Sequence, residues 1–466
     1  MTTTDKTIST TKSLVVLCIA SFLVPFMGSS LNLAAPQLSD YFSMNAVTLT
    51  WVSSIYLIST AIFQIPFAKI ADIVGRKKMF LSGVSLFCIC TFLCAFAPNA
   101  AILLISRFFA GIGSAMLFGT NMAILTSIFP PEKRGMALGI NTAVVYAALA
   151  IGPLVGGILT HFFGWQSIFV VSAIIALAVV VFGKIFLLTE WIEAKGEKFD
   201  IRGSVVYAVA LSGLIYGFSK LFDKDGINYI SLICLVVGIF ALLIFIILEN
   251  DTAFPVFDTK LFSGNRVFAL SSFAALINYS ATSATVFMIS LYLQYVRGFE
   301  AANAGFILIS QAGIQSVFSL LAGRFTSRFK PSTLATAGMT IIVVALIGMS
   351  VLSVTTPMWL LIVWLVLLGA GFGIFSSPNI TVIMNSVDKK YYGQASATTG
   401  TMRLTGQAFS MGIASMAMSL FLGDNKIIPE LYPNFMKSFN TTFIIFAILC
   451  VIGIYASSAR NKKAKE

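Results

Sequence analysis

Ala68-Lys69-Ile70-Ala71-Asp72-Ile73-Val74-Gly75-Arg76-Lys77-Lys78 is a basic turn with one carboxylate, set between the apolar runs 51–67 and 79–97. Each run approaches the roughly 20 apolar residues that cross a bilayer core, so the turn lies at a membrane surface. Its cations place that surface on the cytoplasmic side, where short loops collect Lys and Arg. Gly75 allows a backbone turn at positive φ that other residues resist. Asp72 can face either the neighbouring Arg76 or the positive end of a nearby helix.

The rest of the chain fits that setting. Of its 466 residues 58% are hydrophobic and only 10% charged, with mean hydropathy +0.93. A soluble domain carries about 25% charged residues, so this composition predicts an all-α integral membrane protein. The net charge of +12 would suggest nucleic acid in a soluble protein. Here the basic residues sit in short loops between apolar spans, which excludes nucleic acid and points to the lipid bilayer as the partner. All six cysteines fall inside apolar spans, where a free thiol acts as a small hydrophobe, and with a single His no metal cluster is expected. The first apolar stretch is too long for a signal peptide and lacks a small-residue cleavage site before Asn32 and Pro36, so it is read as a retained span.

About fourteen spans can be marked, and an even number puts both termini in the cytoplasm, in keeping with the basic tail Arg460-Asn461-Lys462-Lys463-Ala464-Lys465. Two polar loops, 190–202 and 249–266, bracket a pair of spans. The expected division is therefore an N-terminal six-helix bundle (1–189), two inserted helices with their loops (190–266), and a C-terminal six-helix bundle with the tail (267–466). Gly323-Arg324-Phe325-Thr326-Ser327-Arg328-Phe329-Lys330-Pro331 echoes the first basic turn, with Ser327 in the place of Asp72. Paired six-helix halves around a central site are a transporter architecture.

Asp72 followed by Gly75-Arg76-Lys77-Lys78, between the second and third spans, resembles the signature loop of the major facilitator superfamily, with Ala68 where that pattern has Gly. In span four, Arg107 precedes Gly111 and Gly113 as in the superfamily's fourth-span motif. A guanidinium at that depth needs a partner or a wet cavity. In span five, Gly139 is followed by Ile151-Gly152-Pro153-Leu154-Val155-Gly156-Gly157. Generic small-residue packing explains the glycines alone, and Pro153 bends the rod. The whole string resembles the antiporter signature of drug-exporting facilitators, which implies a seal between the halves. Trp51 and Tyr56, Phe199-Asp200-Ile201-Arg202-Gly203, and Tyr392-Gly393-Gln394-Ala395-Ser396 with Thr401-Met402-Arg403-Leu404-Thr405-Gly406 resemble the fourteen-span drug/proton antiporter branch. The resemblance implies that Asp72, Gly75 and Arg76 act as a conformational switch, with Asp72 near Gly393 to Ser396.

The match fails in span one. Asn32-Leu33-Ala34-Ala35-Pro36 is present, but Met27 stands where exporting relatives carry an aspartate. Proton coupling usually uses a titratable group inside the membrane, and no compensating acid is evident. His161, at the outer end of span five, reads as an interfacial side chain. Candidates for the substrate cavity are Asn32, Tyr56, Asn278, Tyr279, Gln311, Gln315 and Arg403, with Gln311 and Gln315 sharing a helix face. The resemblance implies a monomeric secondary exporter of small hydrophobic or amphiphilic compounds, coupled to protons, in the cell membrane. No phosphate-binding loop suggests ATP or another cofactor, and the scarcity of titratable residues in the spans argues against an enzyme. The alternative is a facilitator or symporter for one specific, anionic metabolite recruited by Arg107 or Arg403.

Overall fold

The computed structural model describes residues 3–459 except 224, 225, 253, 258, 260, 261, 263, 282, 327 and 388–391; side chains are described from residue 10, leaving out also 131–133, 135, 223, 392–394, 396 and 397. The helices are α1 (Thr3–Phe42), α2 (Ala46–Val74), α3 (Arg76–Ala95), α4 (Ala100–Ile128), α5 (Pro131–Phe163), α6 (Gln166–Phe186), α7 (Ile201–Ser219) and α8 (Tyr229–Asp251). There follow α9 (Arg266–Ser280), α10 (Ser283–Leu291), α11 (Ala301–Phe325), α12 (Pro331–Ser350), α13 (Met358–Asn385), α14 (Tyr392–Phe421) and α15 (Tyr432–Ala459). The ninth span is described in two pieces, α9 ending at Ser280 and α10 beginning at Ser283, with residue 282 outside the described residues. It ends in a π turn, Tyr292–Val296.

Taken with α9 and α10 as one rod, the described residues form fourteen rods. Thirteen are long and apolar enough to cross a membrane. The remaining one, the 30-residue α14, is rich in Gly, Ser, Thr and Met. Of its described polar side chains, Thr398, Thr401, Thr405, Ser410, Ser415 and Ser419 are buried, while Thr399, Arg403 and Gln407 are partly exposed. Successive rods alternate in direction, so the start of α1 and the end of α15 share one face, here the terminal face. Helix starts are fixed by side chains that take up otherwise unmade backbone N–H bonds. Asn45 accepts from Thr48 N (2.7 Å), Asn99 from Ile102 N (2.9 Å) and Asn265 from Phe268 N (3.0 Å).

The packing repeats itself. In the first bundle α2 and α3 pack on α4, α1 on α5 and α6, and α3 on α6. In the second, α11 and α12 pack on α13, α9 on α14 and α15, and α12 on α15, which is the same set of pairs counted within each half. Two seams join the bundles, α5 with α11 and α2 with α14, and they too are equivalent. The pair α7–α8 packs together and lies over the α2–α14 seam, through a cluster that includes Ile58, Ile62, Tyr207, Leu211 and Leu404. The protein is thus two six-helix bundles with two additional helices. On α8, Ile230, Ile233, Phe240 and Ile247 remain exposed as a lipid-facing surface.

Candidate functional site

The basic turn is organised by a strap of acidic residues that follows α6. Gly75 has φ +128°, a conformation that favours glycine, and a Cβ there would also meet the Glu190 carboxyl carbon at 2.6 Å. The Glu190 carboxylate accepts from the N–H groups of Lys77 (2.8 Å) and Lys78 (3.2 Å), capping the start of α3. The Asp72 side chain pairs with Arg76 Nε at 2.7 Å, while its backbone carbonyl accepts from Glu193 N and Ala194 N. Arg76 also reaches Ser127 Oγ and Glu193, and Lys69 pairs with Glu197 at 2.6 Å. Of the two partners open to Asp72, the structure uses Arg76. The side chains of Gly393, Gln394 and Ser396, where the carboxylate was also expected, lie outside the described set, as does Ser327 in the second-half echo.

Arg107 sits deep in the first bundle and is 1% exposed. Its Nε donates to the Val52 carbonyl (3.0 Å) and its Nη1 to Met27 Sδ (3.8 Å). Its guanidinium carbon lies 4.2 Å from the centre of the Tyr56 ring, and Tyr56 OH donates to Ser114 Oγ (2.8 Å). A desolvated cation over an aromatic ring gains about 2 kcal/mol, less than the several kcal/mol that burying a charge costs. Among the described residues no carboxylate lies within pairing distance. The substitution noted in span one therefore falls on the guanidinium itself. Gly111 brings α4 onto α2, since a Cβ there would run into Ser59 Oγ and the Tyr56 carbonyl.

The span-five glycines divide into distinct uses. Gly152 and Gly156 bring α5 against Ser29 and Ser30 of α1, and Ser30 donates to the Gly152 carbonyl at 2.8 Å. Gly157 turns instead to α11, where a Cβ would meet the Ala301 carbonyl, and Gly305 of α11 lies in the same way against the Pro153 carbonyl. Gly139 has open space around it and takes no part in this packing. The tight stretch belongs to the half of the molecule away from the terminal face, where other contacts also cross between bundles. Ser290 Oγ donates to the Asn32 carbonyl (2.7 Å), and Gln294 to Leu33 O (3.2 Å). Asn45 donates to Asp424 (3.3 Å), and Ala46 N to Asn425 O (3.1 Å). His161 Nδ1 stands 3.6 Å from Glu300 across the same gap. That face is closed.

Towards the middle, residues of both bundles converge. The Arg403 guanidinium of α14 lies 5.3 Å from the Phe118 ring of α4. Half-buried Tyr279 of α9 lies near Ser376 of α13, Tyr146 of α5 and Arg403 of α14. Asn278, expected beside it, points into the second bundle at Met339 Sδ (3.9 Å). Gln311 and Gln315 do share one stretch of α11, and their carbonyls lie against Gly369 and Gly373 of α13. The Gln311 Oε1 is buried without a partner. Tyr56 is enclosed within the first bundle and Asn32 lies at the closed seam, so Tyr279 and Arg403 are the expected cavity residues that meet the other bundle here.

The acidic strap of Glu190, Glu193 and Glu197 was overlooked as a partner of the turn, although three acids close together after a basic turn are a readable charge pattern. Glu249 was overlooked as well. It lies at a span end, and only packing shows that it is buried.

Comparison with known proteins agrees with this architecture. The profile of the Major Facilitator Superfamily matches residues 17–411. The riboflavin transporter RibZ of Clostridioides difficile (strain 630) is 29% identical over 444 residues, covering 95% of each chain. The multidrug resistance protein Stp of Mycobacterium tuberculosis is 27% identical over 392 residues, 84% of this chain and 72% of that one. Among solved structures, a peptide transporter POT in complex with sulfate superposes with a TM-score of 0.70 at 15% identity, covering 97% of this chain and 95% of that one. A bacterial homologue of the lysosomal transporter Spinster, in an inward-facing conformation, gives 0.64 at 18% identity, covering 97% of each. Duplicated bundles, paired seams and a profile match over most of the sequence lead to one assignment: this multi-pass membrane protein belongs to the major facilitator superfamily.

Proposed function

We propose that the chain is a secondary active transporter that exports small hydrophobic or amphiphilic compounds, its two bundles rocking about the central residues. The observation that carries this reading is the convergence of Phe118, Tyr146, Tyr279 and Arg403 from opposite bundles, beneath a face that is already closed. Tightly packed α5 and α11 form the seal, and the Asp72–Gly75–Arg76 turn is the switch whose bonds favour one arrangement. With both termini and the switch on the cytoplasmic side, this reading takes the closed face as the outer one. The protein works as a monomer. The resistance protein among its relatives supports an exporter.

The central groups favour particular substrates. Arg107 and Arg403 are cations, and no carboxylate partner lies among the described residues, so neutral or anionic aromatic amphiphiles suit the site better than lipophilic cations. The same observation favours a second reading, a carrier for one anionic metabolite. Proton antiport remains the proposed coupling, although with Met27 in α1 the proton must be carried elsewhere. Purified protein in liposomes with imposed proton or sodium gradients tests both readings, using riboflavin, an anionic aromatic dye and a cationic dye. Accumulation of several aromatic compounds against an opposing proton gradient is expected for the exporter, and of one anion for the second reading. Movement that ignores both gradients overturns secondary active transport.

A further inference from the structure

Glu249 is the one described carboxylate buried as deeply as the core, at 2% exposure, in the last turn of α8. Its Oε2 accepts from Phe257 N at 2.9 Å, which ties the segment after α8 back to the helix. Its Oε1 is buried with no partner. Facing it is Asp200, the cap of α7. One Asp200 oxygen accepts from Gly203 N (2.9 Å), and the other, Oδ2, is likewise buried and unpartnered. A Cβ on Gly203 would run into both Glu249 Oε1 and Asp200 Oδ2, so the two bare oxygens border the same small gap.

Two buried carboxylate oxygens beside one small gap cannot both stay ionised cheaply, and one proton converts their repulsion into a hydrogen bond. We propose that Asp200 and Glu249 form a proton-binding carboxyl pair in the inserted helices, outside the central site. The helix ends assign the roles. The start of α7 favours an anion on Asp200, whereas the end of α8 disfavours one on Glu249. Glu249 therefore holds the proton and donates from Oε1 to Asp200 Oδ2. From α2 the charge facing the pair is Lys69, which is bonded to Glu197. On α8 itself Asp251 is exposed at the helix end, and Asp258 and Lys260 of the following segment lie outside the described residues. When the proton leaves, the second negative charge draws Lys69 away from Glu197 and so loosens the strap from α2.

Infrared spectroscopy of the full-length protein in lipid tests the pair without any substrate. Near neutral pH the wild type should show the carbonyl band of a protonated carboxyl, which Glu249→Gln and Asp200→Asn should each remove. In either variant an amide N–H occupies the gap and leaves the other group ionised. Both should fold, because Asn caps a helix as well as Asp and Gln can still accept from Phe257. Absence of the band in the wild type, or its persistence in both variants, overturns the pair. The effect on α2 rests on the transport reading and is measured separately. The pH profile of transport in liposomes should flatten in Glu249→Gln, and an unchanged profile overturns that link while the infrared result stands by itself.

Discussion

Met27→Asp should expose the fixed charge of Arg107. An aspartate Oδ lies at the same depth along its side chain as a methionine Sδ, so an oxygen would come close to where the sulfur now stands, 3.8 Å from Arg107 Nη1. Unit charges about 4 Å apart attract by about 4 kcal/mol at an effective dielectric constant of about 20. Removing the carboxylate from water costs several kcal/mol, so the single substitution should change stability little. In an Arg107→Met background the same aspartate has no cation, and an uncompensated buried charge costs about 3–5 kcal/mol. A double-mutant cycle over the two positions should thus give a coupling of about 2–4 kcal/mol, read by detergent-titrated unfolding in mixed micelles. Transport of anionic aromatic compounds should fall in Met27→Asp, since the guanidinium is then paired. A coupling below about 0.5 kcal/mol would refute the reasoning, because Arg107 would then not sense position 27.

Gly305→Leu should overpack the α5–α11 seam, since its Cβ would already meet the Pro153 carbonyl, at a cost of about 1–3 kcal/mol to the closed arrangement. The measurement is thiol labelling at Asn45→Cys, expected to speed up in the Gly305→Leu background. Oxidative cross-linking of Asn45→Cys with Asp424→Cys, whose native side chains touch at 3.3 Å, should arrest transport until a reductant is added. Continued transport with the link formed would mean that this face need not open. Gly75→Ala should destabilise the basic turn through both its φ of +128° and its contact with Glu190, seen as faster proteolysis between α2 and α3. Unchanged cleavage would contradict the strap.

The sequence reading reached the fold because membrane spans are written locally, as apolar length and basic loops. It singled out Arg107 because a cation at membrane depth is costly, and Gly157 because Gly-Pro strings are distinctive. What escaped it was pairing at a distance. Nothing in the order of residues says that Glu190 will cap α3, or that the gap beside Gly203 will hold two carboxylate oxygens. Asn278 and Tyr279 are both cavity candidates by their place in the second half, but neighbouring residues on a helix point about 100° apart. One turned towards Met339 inside its own bundle and the other towards Tyr146 of the first bundle. The glycines looked alike in sequence, yet Gly139 borders open space while Gly157 touches the other bundle, a difference set by which helix lies opposite.

The inserted pair is held unequally by the two bundles. The strap leading into α7 is bonded to the first bundle by directional contacts: Glu193 N and Ala194 N donate to Asp72 O, Arg76 N donates to Trp191 O, and Lys69 donates to Glu197. Tyr207 of α7 adds a bond to Ala61 O at 3.4 Å. Towards α14 of the second bundle the described contacts are apolar, Leu211 and Ile215 with Leu404 and Ala408, and Gly412 leaves 3.5 Å between a built Cβ and Ser219. Hydrogen bonds fix direction and distance, whereas contacts of small apolar groups tolerate sliding at little cost. If the bundles rock, α7 and α8 are therefore bound to travel with the first and slide across α14. The carboxyl pair lies on the travelling side of that boundary, between the insert and Lys69 of α2, where a single proton can change how firmly the two are joined.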